Sequence, residues 1–147
     1  CKYGIKAVIY IAVQSLQNVR VSLAEIASEI DSPKSFTAKI LQELARNKVI
    51  VSIKGKTGGY EVRKENMAQI TLLQIVTSID GDNIYTLCGL GLKKCSEQYP
   101  CPIHKEFKII REKLKITLEN TTLEMMATSI DDGLSFLKIY DHSFDNF

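Results

Sequence analysis

Residues 22–63 read SLAEIASEIDSPKSFTAKILQELARNKVIVSIKGKTGGYEVR, and this stretch decides the fold. Ser22 stands ahead of Leu23-Ala24-Glu25-Ile26-Ala27-Ser28-Glu29-Ile30, and Glu25, three residues on, completes a capping box. Asp31-Ser32-Pro33 forces a turn, because the residue before a proline is biased away from helical backbone. A further helix is expected from Ser35 to about Asn47, with Phe36, Ile40, Leu41 and Leu44 on its inner face. Two helices joined by so short a turn form the pattern of a helix-turn-helix. Val49-Ile50-Val51-Ser52-Ile53 then reads as a strand from its β-branched residues. Lys54-Gly55-Lys56-Thr57-Gly58-Gly59 reads as a glycine-rich turn and Tyr60-Glu61-Val62-Arg63 as the returning strand, which makes a hairpin wing.

Working outward, Tyr3, Ala7, Ile11 and Val13 to Leu16 recur near helical spacing and predict a first helix ending near Gln17. The chain begins on Cys1, without Met and already inside that pattern, so a few preceding residues are expected. On the other side, Thr71 caps Leu72-Leu73-Gln74-Ile75-Val76-Thr77-Ser78-Ile79, stopped by Asp80-Gly81. Residues 82–104 carry cysteines and prolines and read as a loop. A long helix is predicted from Lys105, with Phe107, Ile110, Leu114, Leu118, Leu123 and Met126 as its apolar stripe. Beyond Ile130 the pattern weakens, residues 131–147 read as either a short docked segment or a frayed end, and His142 within them carries no case for function.

The 147 residues suffice for one domain, or one domain with an appendage, and 45% hydrophobic with 24% charged residues is ordinary globular composition. No apolar run approaches the ~18 residues that span a bilayer, so no membrane partner is expected. Four cysteines without a visible secretory signal predict a reducing, cytoplasmic setting.

Net charge is only +2, but its distribution is uneven. From Pro33 to Lys64 eight basic residues stand against Glu43 and Glu61, which leaves a slightly acidic remainder. A basic segment on such a body is the footprint of a polyanion binder, although a basic run alone is more often a solvated face. The hairpin wing beside the helix-turn-helix favours DNA over a helical hairpin inside an enzyme or adaptor.

The outward positions of the recognition helix are expected to be Lys34, Ser35, Thr37, Ala38, Lys39 and Gln42. Lys39 suits guanine N7 and O6, Gln42 an adenine edge or a phosphate, and Ser35 and Thr37 a phosphate or base. Gly55, Gly58 and Gly59 permit positive φ and close approach, while Lys54 and Lys56 suit a minor groove or phosphates. A Walker loop is excluded, because Gly-Lys-Thr here runs into Gly-Gly and a strand instead of a helix N-terminus.

Cys88, Cys95, Cys101 and His104 place three thiols and an imidazole within one loop, with six residues between the first two cysteines. Such donors suit an iron–sulfur cluster or zinc, the other reading being three unligated thiols and a surface histidine. Cys1, far off in sequence, reads as a packed small residue. A thiol enzyme is disfavoured, since His104 is the only histidine or acid near a cysteine that offers itself as a base.

Taken together, Tyr3-Gly4-Ile5-Lys6-Ala7, Leu23-Ala24-Glu25-Ile26-Ala27, Leu41-Gln42-Glu43-Leu44, the wing with Tyr60, Ile70 to Val76, Ile79-Asp80-Gly81 and the cysteines with Pro100-Cys101-Pro102-Ile103-His104 carry a resemblance. The chain resembles the Rrf2 family of winged-helix transcriptional regulators, in particular its IscR/NsrR-like members. The resemblance implies a mainly α (α+β) fold: a winged helix-turn-helix with a two-stranded wing and a long C-terminal dimerisation helix. It implies a DNA-binding domain at 1–66, then at 67–147 a linker helix, the cysteine loop (82–104) and the dimerisation helix. It further implies a homodimer on a palindromic double-stranded operator; the residues above that would read it are Ser35, Thr37, Ala38, Lys39, Gln42, Lys54, Lys56 and Gly58. A 2Fe–2S cluster held by Cys88, Cys95, Cys101 and His104 is the implied sensor of redox, iron–sulfur or nitrosative status. Thiol oxidation, zinc or a protein partner remain the alternative signals.

Overall fold

The first helix, α1 (Lys2–Leu16), is apolar enough that Ala7, Val8, Ile11 and Ala12 are completely buried, and the other elements assemble around it. The computed structural model describes residues 1–138, so His142 and the rest of 139–147 lie outside the described residues. Next come α2 (Leu23–Glu29), α3 (Lys34–Arg46), β1 (Val51–Ile53), β2 (Gly59–Glu61) and a 3₁₀ turn at Lys64–Asn66. The chain continues through α4 (Leu72–Asp80), α5 (Asn83–Thr86), α6 (His104–Asn120) and α7 (Leu123–Asp131). β1 and β2 pair antiparallel, with Ser52 opposite Tyr60. Tyr60 also exchanges backbone hydrogen bonds with Val21, so the wing is sewn to the segment between α1 and α2.

Local chemistry explains the helix boundaries. At α2 the capping box forms as expected: Glu25 N–H donates to Ser22 Oγ, and Ser22 N–H donates to the Glu25 carboxylate at 2.7 Å. The first three helices end alike, with Asn18, Asp31 and Lys48 at φ of 59°, 52° and 59°. After α3, Lys48 N–H donates to Ala45 O and Val49 N–H to Leu44 O, the crossed pair of a Schellman motif. These left-handed residues let each chain reverse within two positions and hold the helix-turn-helix compact.

The long helix expected from Lys105 through Met126 is two helices. α6 stops at Asn120 because Thr122 Oγ1 accepts from Met125 N–H and starts α7. Backbone bonds from Leu72 N–H to Thr121 O and from Leu123 N–H to Ile70 O, each 2.8 Å, then clip the starts of α4 and α7 together. A local cap and a long-range bridge outcompete continued helix at this point. α7 turns back onto α1, where Leu123 and Ala127 enter the same core as Ile26, Leu41, Leu44, Met67 and Ile75. α6 is left projecting, with Leu118 its single buried residue and Ile109, Ile110 and Ile116 all more than half exposed. Among the described residues, no helix is long and apolar enough to cross a membrane.

Candidate nucleic-acid interface and cysteine loop

α3 turns its polar face outward beside the wing. Lys34, Ser35, Lys39 and Gln42 are exposed, and Ala38 is half-buried. Ala38, Lys39, Gln42, Ser52 and Tyr60 line an open groove of about 390 Å³ between the helix and the hairpin. Thr37 corrects the expectation placed on it: it is 0% exposed, and its Oγ1 donates to Pro33 O at 3.0 Å. The hydroxyl bonds back to the preceding turn, so the side chain packs inward like a valine instead of facing outward. Phe36 moves the other way. Expected inside, it is 47% exposed and meets Tyr3 edge-on, with ring centroids 5.7 Å apart.

At the wing, Lys54 and Lys56 are exposed on either side of Gly55, which adopts φ 105°. Gly59 also needs positive φ, at 138°, but Gly58 does not. Gly58 is required for space, since a Cβ there would lie 2.1 Å from Ile53 O. Sequence reasoning passed over Arg20. Its Nε donates to the Glu61 carboxylate at 2.6 Å and its Nη1 to Thr57 O at 3.2 Å, so it braces the wing from behind. Ser15, buried in α1, accepts from Val62 N–H at 2.9 Å and anchors the returning strand. No local signal marks either residue, because each partner lies more than 35 positions away in sequence.

The cysteine loop packs on the first turns of α6. His104 opens that helix, and its Nδ1 lies 3.3 Å from Cys95 Sγ. From the other side Arg111 Nη2 donates to Cys95 Sγ at 3.1 Å. Cys88 is buried; backbone N–H groups of Leu90 and then Leu92 hold its thiol below the ordinary range. Cys101 and the Arg111 charge act in the same direction, while burial opposes them. Cys101 sits partly exposed just ahead of His104, and Lys108 pairs with Glu97 across the loop. Cys1 is exposed instead of packed, and it stands apart from this group. Residues 82–104 are not wholly irregular, since Asn83–Thr86 form the short α5.

Three thiols and an imidazole are the donor types that hold iron–sulfur or zinc centres, so the donor set fits such a group chemically. Among the described residues, however, no three His, Cys, Asp or Glu side chains stand together closely enough to hold a metal ion. Cys95 and His104 are in contact, and the loop would have to close to bring in the remaining thiols.

A helix-turn-helix with a hairpin wing, basic on the face the two share, defines a winged-helix protein of the DNA-binding class. Residues 1–129 match the Rrf2 family, described as an iron-dependent transcriptional regulator, and the chain belongs to that family. It is 26% identical to the transcriptional regulator IscR of Yersinia pseudotuberculosis over 130 residues, covering 88% of this chain and 77% of that protein. Two solved structures share the fold. CymR, described as the global cysteine regulator of B. subtilis, superposes with a TM-score of 0.70 at 24% identity, over 86% of this chain and 91% of that one. T. potens IscR gives 0.67 at 19% identity, over 91% and 87%. The chain is thus a transcriptional regulator of the Rrf2 type and not an enzyme.

Proposed function

We propose that the chain acts as a homodimer on a palindromic double-stranded operator, with two copies of α3 in successive major grooves. Ser35, Lys39 and Gln42 present the reading surface, Ala38 allows close approach, and Lys54, Lys56 and Gly58 form the wing contact. Thr37 contributes by holding the first turn of α3 in shape. The projecting α6, with Ile109, Ile110 and Ile116 uncovered, supports a dimer that packs through this helix. A gel-shift titration on the upstream region of its own gene tests the reading. Salt-dependent binding weakened by Lys39→Ala supports it, and salt-independent or absent binding overturns it.

The same proposal assigns the signal to a 2Fe–2S cluster held by Cys88, Cys95, Cys101 and His104. When bound, such a group supplies a redox-responsive charge and a cross-link between the loop and α6. The observation that carries this is the contact of Cys95 with His104 at the first turn of α6, which puts two of the four donors together already. Anaerobic reconstitution with iron and sulfide should give visible charge-transfer absorption that Cys95→Ala lacks; a colourless parent refutes it.

A second reading keeps the DNA interface but takes thiol oxidation, zinc or a protein partner as the signal. Among the described residues no three metal-binding side chains converge, which favours its thiol-oxidation and protein-partner forms over any metal, zinc included. Metal analysis and thiol counting on the isolated protein separate the two.

A further inference from the structure

We propose that Arg111 is the positioning residue that carries the chemical state of the Cys95 sulfur into α6. The inference rests on reading the loop between Cys88 and His104 as the switch, and it names the part that couples this loop to the rest of the molecule.

One guanidinium holds the loop at two kinds of point. Nη1 donates to Thr86 O at 3.1 Å and to Leu87 O at 2.6 Å, the carbonyls at the end of α5. Nη2 of the same planar group donates to Cys95 Sγ at 3.1 Å. The guanidinium also lies 5.6 Å from the Phe107 ring centroid. That ring supports the loop in turn, since a Cβ on Gly89 would come within 2.8 Å of it. Backbone, sulfur and α6 therefore meet at a single planar guanidinium.

The placement is costly for a purely structural role. Arg111 Nε is buried without a partner, and an unpaired buried donor is a penalty that an apolar residue at this position would avoid. A planar fork that cannot lose its charge transmits displacement, because its donors move as one body. A change in the bonding of the Cys95 sulfur would alter its strength as an acceptor, and the length and aim of the Nη2 bond would change with it. The Nη1 bonds and the helix turn from Phe107 to Arg111 shift with it. Without Arg111 the sulfur can change partners and α6 does not register the change.

The test is a double-mutant cycle on the reduced, chelator-stripped full chain. Amide hydrogen exchange is read over residues 104–111 for the parent, Arg111→Gln, Cys95→Ala and the double variant. Arg111→Gln should speed exchange about tenfold in the parent and only about threefold in the Cys95→Ala background, where the Nη1 bonds to Thr86 and Leu87 alone remain to be lost. Equal acceleration in both backgrounds shows that Arg111 merely holds the Thr86 and Leu87 carbonyls, and it overturns the proposal. No acceleration in either overturns it as well. Arg111→Lys keeps the charge without the fork; run through the same cycle, it replaces Arg111→Gln if that variant does not fold. Because no metal is present, a chain that takes up no cluster defeats the cluster reading and leaves this result standing.

Discussion

Gly58→Ala perturbs the wing at the point where the geometry leaves no room. A Cβ there would lie 2.1 Å from Ile53 O and 2.9 Å from both Gly55 O and the Lys54 carbonyl carbon. All three are backbone atoms, so no side-chain rotation relieves the clash and the tip has to open. The Gly58 N–H to Gly55 O bond at 3.0 Å, which closes the turn, is then lost. Lys54 and Lys56 lie on this turn and move with it. One exposed turn bond costs about 1 kcal/mol, so the core and its melting transition should change little. DNA binding should change much more. Each phosphate neutralised contributes about 0.9 to the slope of log K against log salt, and four wing lysines in a dimer therefore contribute about 3.6. Between about 50 and 200 mM salt the parent should lose on the order of 150-fold more affinity than the variant. Fluorescence anisotropy with any labelled duplex suffices, because phosphate contacts are sequence-independent. Lys54→Ala/Lys56→Ala should reproduce the same reduced slope. An unchanged slope in both folded variants refutes the wing assignment. An unchanged slope in Gly58→Ala alone refutes the steric argument.

Three further outcomes follow from the scaffold. Ser15→Ala leaves the buried Val62 N–H without its acceptor and should cost about 1–3 kcal/mol in urea unfolding. Lys48→Gly should stabilise by about 0.5–1 kcal/mol, because a residue with a Cβ is strained at φ 59° while glycine is not; a lower melting temperature refutes the Schellman assignment after α3. The Ser22 backbone and hydroxyl hold the Glu25 carboxyl below its usual range. A lowered folded-state value means stability present above the unfolded value and lost as pH falls through the folded one. The advantage of the parent over Glu25→Gln should therefore shrink on acidification, and a gap that widens in urea titrations at decreasing pH sinks the capping-box argument.

Much of this molecule was legible without coordinates, and the legible parts share a cause. The α2 capping box, the turn at Pro33, the glycine-tipped hairpin and the Thr71 cap rest on interactions within about four positions along the chain, which a sequence displays directly. The same holds for the presence of three thiols and His104 in one segment. Most of the misread elements had long-range causes, Thr37 with its bond back to Pro33 four positions earlier being a local exception. The apolar stripe continues smoothly past Asn120, yet the helix stops where Thr121 and Leu123 pair with Leu72 and Ile70. Thr122-Leu123-Glu124 repeats the cap pattern of Thr71-Leu72-Leu73, and that repetition was the available signal.

For the helix-turn-helix and wing, the sequence determined which elements exist and that their shared face is basic, because periodicity, caps and glycines act locally. Tertiary structure decided which side chains that face presents. It turned Phe36 outward onto Tyr3, and it braced the wing with Arg20 and Ser15. It also decided that the cysteine loop is held to α6 through Arg111, a residue with no motif of its own. A pattern along the chain reports what a residue is. Its partner, when 16 to 47 positions distant, appears only once the chain has folded.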